Sequence, residues 1–567
     1  MTAAAPLRES APGGVGSGEA DLWCTYAAVR TLRWLDRLDV VADRDGTARY
    51  LAGRRNADGG YAWTRGMPSD AWATFYCTQA LTDLGEHPAA LDRTAEWLRG
   101  TWSGEAYAMQ PGQRPDVWAT HFSTRTAIDV CGIEPADPAR LLDWLAGLQT
   151  DGGGLSWSPE HGIADVRACH YGVTVWSRLN ALRPTPQPWR TDALVDWLRG
   201  QCGEDGGFRF SPDAQTPCLW ATYRACSALE LLGWRAERAT ADWIANMRGP
   251  HGSFVRWADH TVEDVWAAFC AIGSLRSIGA PVDEFAPAVA ARIAALACPD
   301  GGYTYREPDR AADVLSTAAA VLRSPDDAGV AWLSSCQLPN EGGLMYMPAR
   351  GAEVRCTLWG LAAGALADNP DGRATVARWL RRLQNPDGGF GLWEGRGSEM
   401  VSTIAAVDTV GLLGLPLSST IDTGRLAAFL DSCRHGNGFR PVPAAEPTLR
   451  SGLQGLRALA ALGRPDPTAV ADLLAAHRVS GGGFASTGNR VPDLLSTYEA
   501  VLAADRHGLP VDESHIRRFL GRVSTPGTAA WSPLAPGDGG PLAHCLSVLL
   551  NRRFAAEAAG LPPLVLS

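Results

Sequence analysis

One phrase recurs along nearly the whole chain, and it leaves few folds open. Two glycines followed by an aromatic residue occur at Asp58–Tyr61, Asp205–Phe208, Asp300–Tyr303 and Asp387–Phe390. Weaker copies stand at Asp151–Gly154, Gly252–Phe254, Glu341–Leu344, Asn437–Phe439 and Gly481–Phe484. From Asp151 onward, neighbouring copies lie roughly 41 to 54 residues apart, close to one helical hairpin with its loops. The gap from Asp58 to Asp151 is about twice that and predicts one decayed copy. A second phrase follows most of these loops: an acid, then Ser, Thr or Ala, then an apolar run. It reads Asp21–Thr25, Asp70–Thr74, Asp116–Thr120, Asp264–Ala268, Asp313–Thr317, Glu399–Thr403 and Asp493–Thr497. A third, Trp-Leu, closes several units at Trp97, Trp144, Trp197 and Trp379.

The acid reads as an N-cap, accepting free N–H groups and favoured by the helix dipole. The Ala-rich helix behind it is apolar on most faces and is therefore buried. The Trp-Leu helix is amphipathic and lies outside it. The glycines supply positive φ for the reversal. The expectation is an all-α double α/α barrel of about eleven helical-hairpin repeats, with almost no strand.

Composition narrows the function. The chain has 567 residues and a net charge of −10, with no basic block, so nucleic acid is not an expected partner. All 51 bases are arginine, which excludes a phosphate-loop lysine and Schiff-base chemistry. No apolar run has the length of a membrane span. Residues 1–18 lack the apolar core of a secretory signal and read as a disordered tail. The stretch Leu561–Leu566 is too short to anchor anything. The 13 scattered cysteines argue against a disulfide framework and for a reduced, cytoplasmic setting. Cys169–His170, Cys433–His435 and His544–Cys545 lack zinc spacing, and no protein metal site is expected. Nothing in the sequence sets an oligomeric state.

The repeats resemble the terpenoid cyclase and protein prenyltransferase superfamily. Gln384-Asn-Pro-Asp-Gly-Gly-Phe390 is a good copy of its glutamine–tryptophan-type repeat. The order of motifs is closest to bacterial two-barrel class II diterpene cyclases. Asp21 sits at the family's early Tyr-Asp-Thr-Ala-Trp phrase, Asp58–Tyr61 at its Asp-Gly-Ser-Trp, and Asp313–Ala318 at its Asp-x-Asp-Asp-Thr-Ala acid motif. Trp393–Thr403 and Glu446–Thr448 are similar to two later family phrases. The resemblance implies that 19–45 and 279–567 form a catalytic-type barrel around an inserted barrel at 46–278. It also places the substrate cavity between the two, facing the Asp313 loop.

The departure from the family bears on the chemistry. The family's acid motif protonates an alkene with a neutral carboxyl at its third position, tuned by neighbouring groups. Here the motif reads Asp313-Val-Leu315-Ser316-Thr317, and the later Glu353-Val-Arg355-Cys-Thr357 has arginine where sterol cyclases have an acid. Asp313, Glu353 and Glu399 are the remaining catalytic candidates, each read also as a cap. Glu263–Asp264 reads as a cap with a solvated neighbour. Trp23, Trp72, Trp118, Trp220 and Trp266 recur two residues after the cap position and read as packing. Tyr303, Tyr305, Trp359 and Trp393 are the aromatic pocket candidates, and Arg306 and Arg355 the diphosphate candidates. The resemblance implies an isoprenoid (terpene) cyclase-like enzyme on a linear prenyl diphosphate of about C15–C20, with Mg2+ arriving on the diphosphate. Prenyl transfer or ionisation on the same scaffold, and non-catalytic isoprenoid binding, are the rival readings.

Overall fold

The acid phrases cap helices. The structure, a computed structural model, describes residues 13–16, 18–64, 67–258, 260–348, 350–488, 491–535, 537–555 and 560–566. In it the Asp70 carboxylate accepts the N–H of Ala73 at 2.8 Å, Asp116 that of Ala119 at 2.7 Å, and Asp493 that of Ser496 at 2.8 Å. The threonine four residues after the cap has a different task. Its Oγ1 accepts the N–H of the residue that ends the Gly-Gly loop: Tyr61 on Thr74 at 2.9 Å, Phe208 on Thr222 at 3.0 Å and Phe390 on Thr403 at 3.0 Å. The two phrases are thus halves of one joint, in which the acid closes the helix and the threonine holds the loop against it.

The loop's first glycine needs its positive φ. Gly206 sits at φ +95°, and a Cβ there would meet the Ala239 carbonyl oxygen at 2.5 Å. The second glycine lies under the tryptophan of the Trp-Leu phrase, as Gly60 does under Trp97, Gly154 under Trp197 and Gly343 under Trp379. That contact is why the amphipathic outer helices carry tryptophan where they do.

The inner helices close into two rings. In the first, α1 (Leu22–Trp34), α2 (Ala71–Asp83), α3 (Val117–Arg125), α4 (Val166–Leu182), α5 (Leu219–Leu231) and α6 (Val265–Ile278) pack in sequence, and α6 packs back on α1. The second ring runs through α7 (Val314–Arg323), α8 (Val354–Ala362), α9 (Met400–Leu412), α10 (Leu449–Ala461), α11 (Leu494–Arg506) and α12 (Gly540–Arg553), which returns to α7. Strand is confined, among the described residues, to the two-residue hairpins Arg434–His435 with Gly438–Phe439 and Ser524–Thr525 with Thr528–Ala529. The fold is the expected all-α double barrel. Among the described residues no helix is long and apolar enough to cross a membrane, and all 13 cysteines are free.

The division between the toroids differs from the expected one. Residues 18–311 form one compact unit, and 312–566 together with 13–16 form the other. Residues 19–45 therefore stay with 46–311 rather than joining 279–567. The reason is ring closure: Asp21 N donates to Tyr303 O at 2.9 Å and Tyr303 N to Thr25 Oγ1 at 2.9 Å, so the last loop of the first toroid locks its first helix. Gly13-Gly14-Val15, inside the segment read as a disordered tail, performs the same task for α7. Val15 N donates to Thr317 Oγ1 at 2.9 Å, and Asp313 N to Val15 O at 3.0 Å. A Cβ on Gly13 would meet Ala328 O at 2.5 Å, and one on Gly14 would meet the Trp332 ring at 2.8 Å, as in the other copies. The first toroid is thus inserted into the second after a single loop. The remainder of the tail, residues 1–12 and 17, lies outside the described residues.

The acidic pair before α6 also departs from expectation, because both members are buried: Glu263 is 0% exposed and Asp264 1%. The loop at 249–254 lacks the aspartate of the other copies. Glu263 replaces it, accepting the N–H groups of His251 at 3.1 Å and Ser253 at 3.0 Å. Asp264 caps α6 through Trp266 N and Ala267 N, both at 2.8 Å. Burial pushes its carboxyl up to about 7, against the pull of those N–H groups and of Arg256 and Arg292. An acid that holds its proton more tightly folded than unfolded weakens the fold as pH rises. The penalty is absent below about pH 4 and complete above about pH 7, with an upper bound on the order of 4 kcal/mol. Asp264→Asn keeps the cap and loses the charge. Urea unfolding is expected to find it more stable than the parent at pH 8 and equal to it near pH 4. Equal stability at pH 8 would mean that the charged carboxylate is tolerated there.

Candidate functional site

One end of the second toroid gathers four of the predicted residues. Asp313, Glu353 and Glu399 stand at the N-cap positions of the adjacent helices α7, α8 and α9. Asp313 caps, its Oδ1 accepting Ser316 N at 2.8 Å. The other two carboxylates make no cap bond. Glu353 accepts the Nε–H of Arg355 at 2.7 Å, with side chains 3% and 12% exposed. Glu399 accepts the Ser402 hydroxyl at 2.7 Å. Burial works to lower the Arg355 pKa, but the fields of Glu353 and Glu399 outweigh it and the net shift is upward. Arg355 is therefore a fixed positive charge between two acids. Burial first, then Glu353 and, more weakly, Asp313, push the Cys356 thiol well above its ordinary value, against the opposing field of Arg355. Two carboxylates, Glu353 and Glu399, thus act on one guanidinium, and Asp313 caps the neighbouring helix.

Trp359 and Trp393 belong to the same toroid. Trp393 precedes α9 in a loop whose Leu392 carbonyl accepts Val354 N at 3.1 Å. Trp359 lies within α8, fully buried, and its indole N–H donates to Val565 O at 2.9 Å. Tyr303, Tyr305 and Arg306 belong to the first unit instead. Tyr303 holds α1 through its backbone, Tyr305 is 1% exposed, and Arg306 lies 3.9 Å from Glu307. Arg355, expected to hold a diphosphate, gives its Nε to Glu353.

Two further features of the second toroid escaped the sequence reading. Deep between α9, α10 and α11, Arg457 pairs with Asp408 at 3.1 Å and Glu499 at 2.8 Å, all three side chains under 5% exposed. Gln454 donates to Glu499 at 2.8 Å, and Arg506 to Asp408 at 3.0 Å. The signal was present in the sequence: a charged residue within a helix that the repeat requires to be buried must have a partner. The other feature is the segment Leu561–Leu566, which is buried against the inner helices of this toroid. An apolar cavity of about 270 Å³, lined among others by Leu474, Phe484, Val501, Leu509 and Ile516, touches none of the predicted residues.

The sequence matches the family model of the prenyltransferase alpha-alpha toroid domain over residues 8–102, 68–199, 177–345, 353–451 and 448–529. A search of curated proteins finds no match. Among solved structures, the chain is similar to the Candida albicans protein geranylgeranyltransferase-I complexed with GGPP, at 14% identity and a TM-score of 0.36, over 47% of this chain and 86% of that one. It is similar to a variant of the type II terpene cyclase MstE from Scytonema, at 15% identity and a TM-score of 0.35, over 47% and 88%. It is also similar to ent-copalyl diphosphate synthase from Streptomyces platensis, at 15% identity and a TM-score of 0.31, over 73% and 91%.

Proposed function

Because the chain belongs to the prenyltransferase alpha-alpha toroid family, we propose that it is a cytoplasmic isoprenoid enzyme that protonates and cyclises a linear prenyl diphosphate of about C15–C20. The observation that carries this reading is the charged end of the second toroid, where Asp313, Glu353 and Glu399 stand at the N-termini of three successive inner helices and Arg355 pairs with Glu353. Carboxylates at this end, of which Asp313 and Glu353 are buried, would stabilise a developing carbocation. The faces of Trp359 and Trp393 add cation–π attraction. Asp313 is the proton donor in this reading, as the retained opening residue of the acid motif. Glu353 stands at the N-cap position of the neighbouring helix and Glu399 at that of the one beyond it. Arg355 orients Glu353. Magnesium would accompany the diphosphate as its counter-ion and would supply charge neutralisation.

Incubation with farnesyl or geranylgeranyl diphosphate and magnesium, read by mass spectrometry, tests the reading. The expected product is a cyclic isoprenoid that retains its diphosphate. Release of inorganic diphosphate would move the assignment to ionisation, and a prenylated acceptor would move it to transfer. Unchanged substrate with no rise in melting temperature would remove isoprenoids from consideration.

A further inference from the structure

The two toroids fill their interiors differently. In the first, the residue two after the cap position is tryptophan in five of six inner helices: Trp23, Trp72, Trp118, Trp220 and Trp266. These rings pack on one another, Trp23 lying 4.5 Å from Trp266 and 4.8 Å from Trp72, and Trp72 4.6 Å from Trp118, between centroids. The first toroid is closed by its own aromatic core. In α7 to α11 of the second, the same position holds Leu315, Arg355, Val401, Arg450 and Leu495. No aromatic layer forms there, and a peptide enters in its place. Leu564 is 2% exposed, Val565 1% and Leu566 8%. Donors on three inner helices hold the peptide carbonyls. The Tyr498 hydroxyl reaches Pro562 O at 2.8 Å, the Trp359 indole N–H reaches Val565 O at 2.9 Å, and Arg450 reaches Leu566 O at 3.1 Å. Burial first, with Cys545 and Glu499, pushes the Tyr498 phenol well above its ordinary value, so it remains a donor.

We propose that the interior of the second toroid is a channel for an extended apolar chain bearing oxygen acceptors, and that Leu561–Leu566 is its displaceable built-in occupant. The chemistry of the walls defines the ligand. Leucine and valine side chains of the segment occupy apolar space along the inner helices. Its carbonyl oxygens satisfy the buried Trp359 and Tyr498 donors, which would otherwise lack acceptors, and the half-buried Arg450. A ligand that replaces the segment must supply both an apolar chain and acceptor oxygens. A prenyl diphosphate and a fatty acid share that chemistry. About 10 Å further along α10 from Arg450, the Arg457 network forms a charged floor that an apolar chain does not cross. The channel shares Trp359 with the reaction proposed above, but its occupancy by the segment stands without that reaction.

The segment and a ligand compete, so the full chain binds with an affinity reduced by the fraction of open channel. A variant lacking residues 556–567 is expected to bind geranylgeranyl diphosphate or palmitate at least about tenfold more tightly than the full chain. The synthetic peptide Leu-Pro-Pro-Leu-Val-Leu-Ser, added in trans, should restore the weaker affinity. Should the deletion fail to fold, Val565→Asp in the full chain expels the segment by placing a charge in apolar surroundings, and the same gain is expected. In the unaltered chain, saturating probe should speed amide exchange at 561–566. Equal affinity with and without the segment, exchange unchanged at saturation, or no binding of either probe to any form overturns the proposal. Binding of palmitate but not of geranylgeranyl diphosphate would uphold the channel and remove the isoprenoid reading.

Discussion

Arg457→Met is expected to destabilise the chain by about 3–5 kcal/mol at pH 8, the usual cost of stripping one partner from a buried ion pair. The guanidinium serves two carboxylates at once, Asp408 at 3.1 Å and Glu499 at 2.8 Å, with all three side chains out of water. Methionine fills much of the volume, so the loss is electrostatic rather than a cavity. Arg506 still reaches Asp408 and Gln454 still reaches Glu499. Both acids nevertheless face a dry interior without their central charge. In the variant each carboxyl then prefers its proton when folded, so the penalty is largest at high pH and shrinks as pH falls through the carboxyl range. Adding Glu499→Gln removes one of the stranded charges and should recover part of the loss. Denaturant unfolding at pH 5 and pH 8 measures each of these. A loss below about 1 kcal/mol at pH 8 would mean that water reaches the network.

Local chemistry was legible in the sequence, and long-range pairing was not. Asp70, Asp116, Asp313 and Asp493 were readable as caps because capping needs only the acid and the helix that follows it. The threonine of the same phrase was visible as a pattern, but its partner, a loop N–H some 13 residues earlier, appears only once the loop folds back. Gly13-Gly14-Val15 lacked both the aspartate and the aromatic of its sister copies. Its identity rests on Thr317 and Trp332, about 300 residues away, and without it the toroid boundary was misplaced. Glu263 shows the same limit at short range, because its burial follows from an aspartate that its own loop lacks. The candidate site divided along this line. Asp313, Glu353 and Glu399 occupy one repeat position on successive helices, with Arg355 two residues after it, so periodicity brought them together. Tyr303, Tyr305 and Arg306 precede Asp313 closely in the chain but belong to the first unit. Leu561–Leu566 was judged as a membrane anchor, for which it is too short. Six residues are enough to bond three inner helices of one toroid.

Asp313→Asn is expected to leave the fold intact and to slow cyclisation by roughly 10²-fold, about 2.7 kcal/mol of barrier. The substitution separates two roles that coincide in one side chain. As a cap, Asp313 needs only an oxygen that accepts Ser316 N, now at 2.8 Å, and asparagine supplies it. As an acid, it needs a proton that asparagine cannot release. Stability by denaturant unfolding should therefore stay within about 0.5 kcal/mol of the parent while the rate falls. A wild-type rate in a folded Asp313→Asn chain assigns the residue to capping alone. The test then passes to Glu399→Gln, which still accepts the Ser402 hydroxyl, and to Glu353→Gln, which also loosens Arg355 and so must be read beside its own unfolding curve. Three unchanged rates would remove all three candidate acids. Release of inorganic diphosphate then becomes the measurement that decides whether cyclisation begins with departure of the diphosphate.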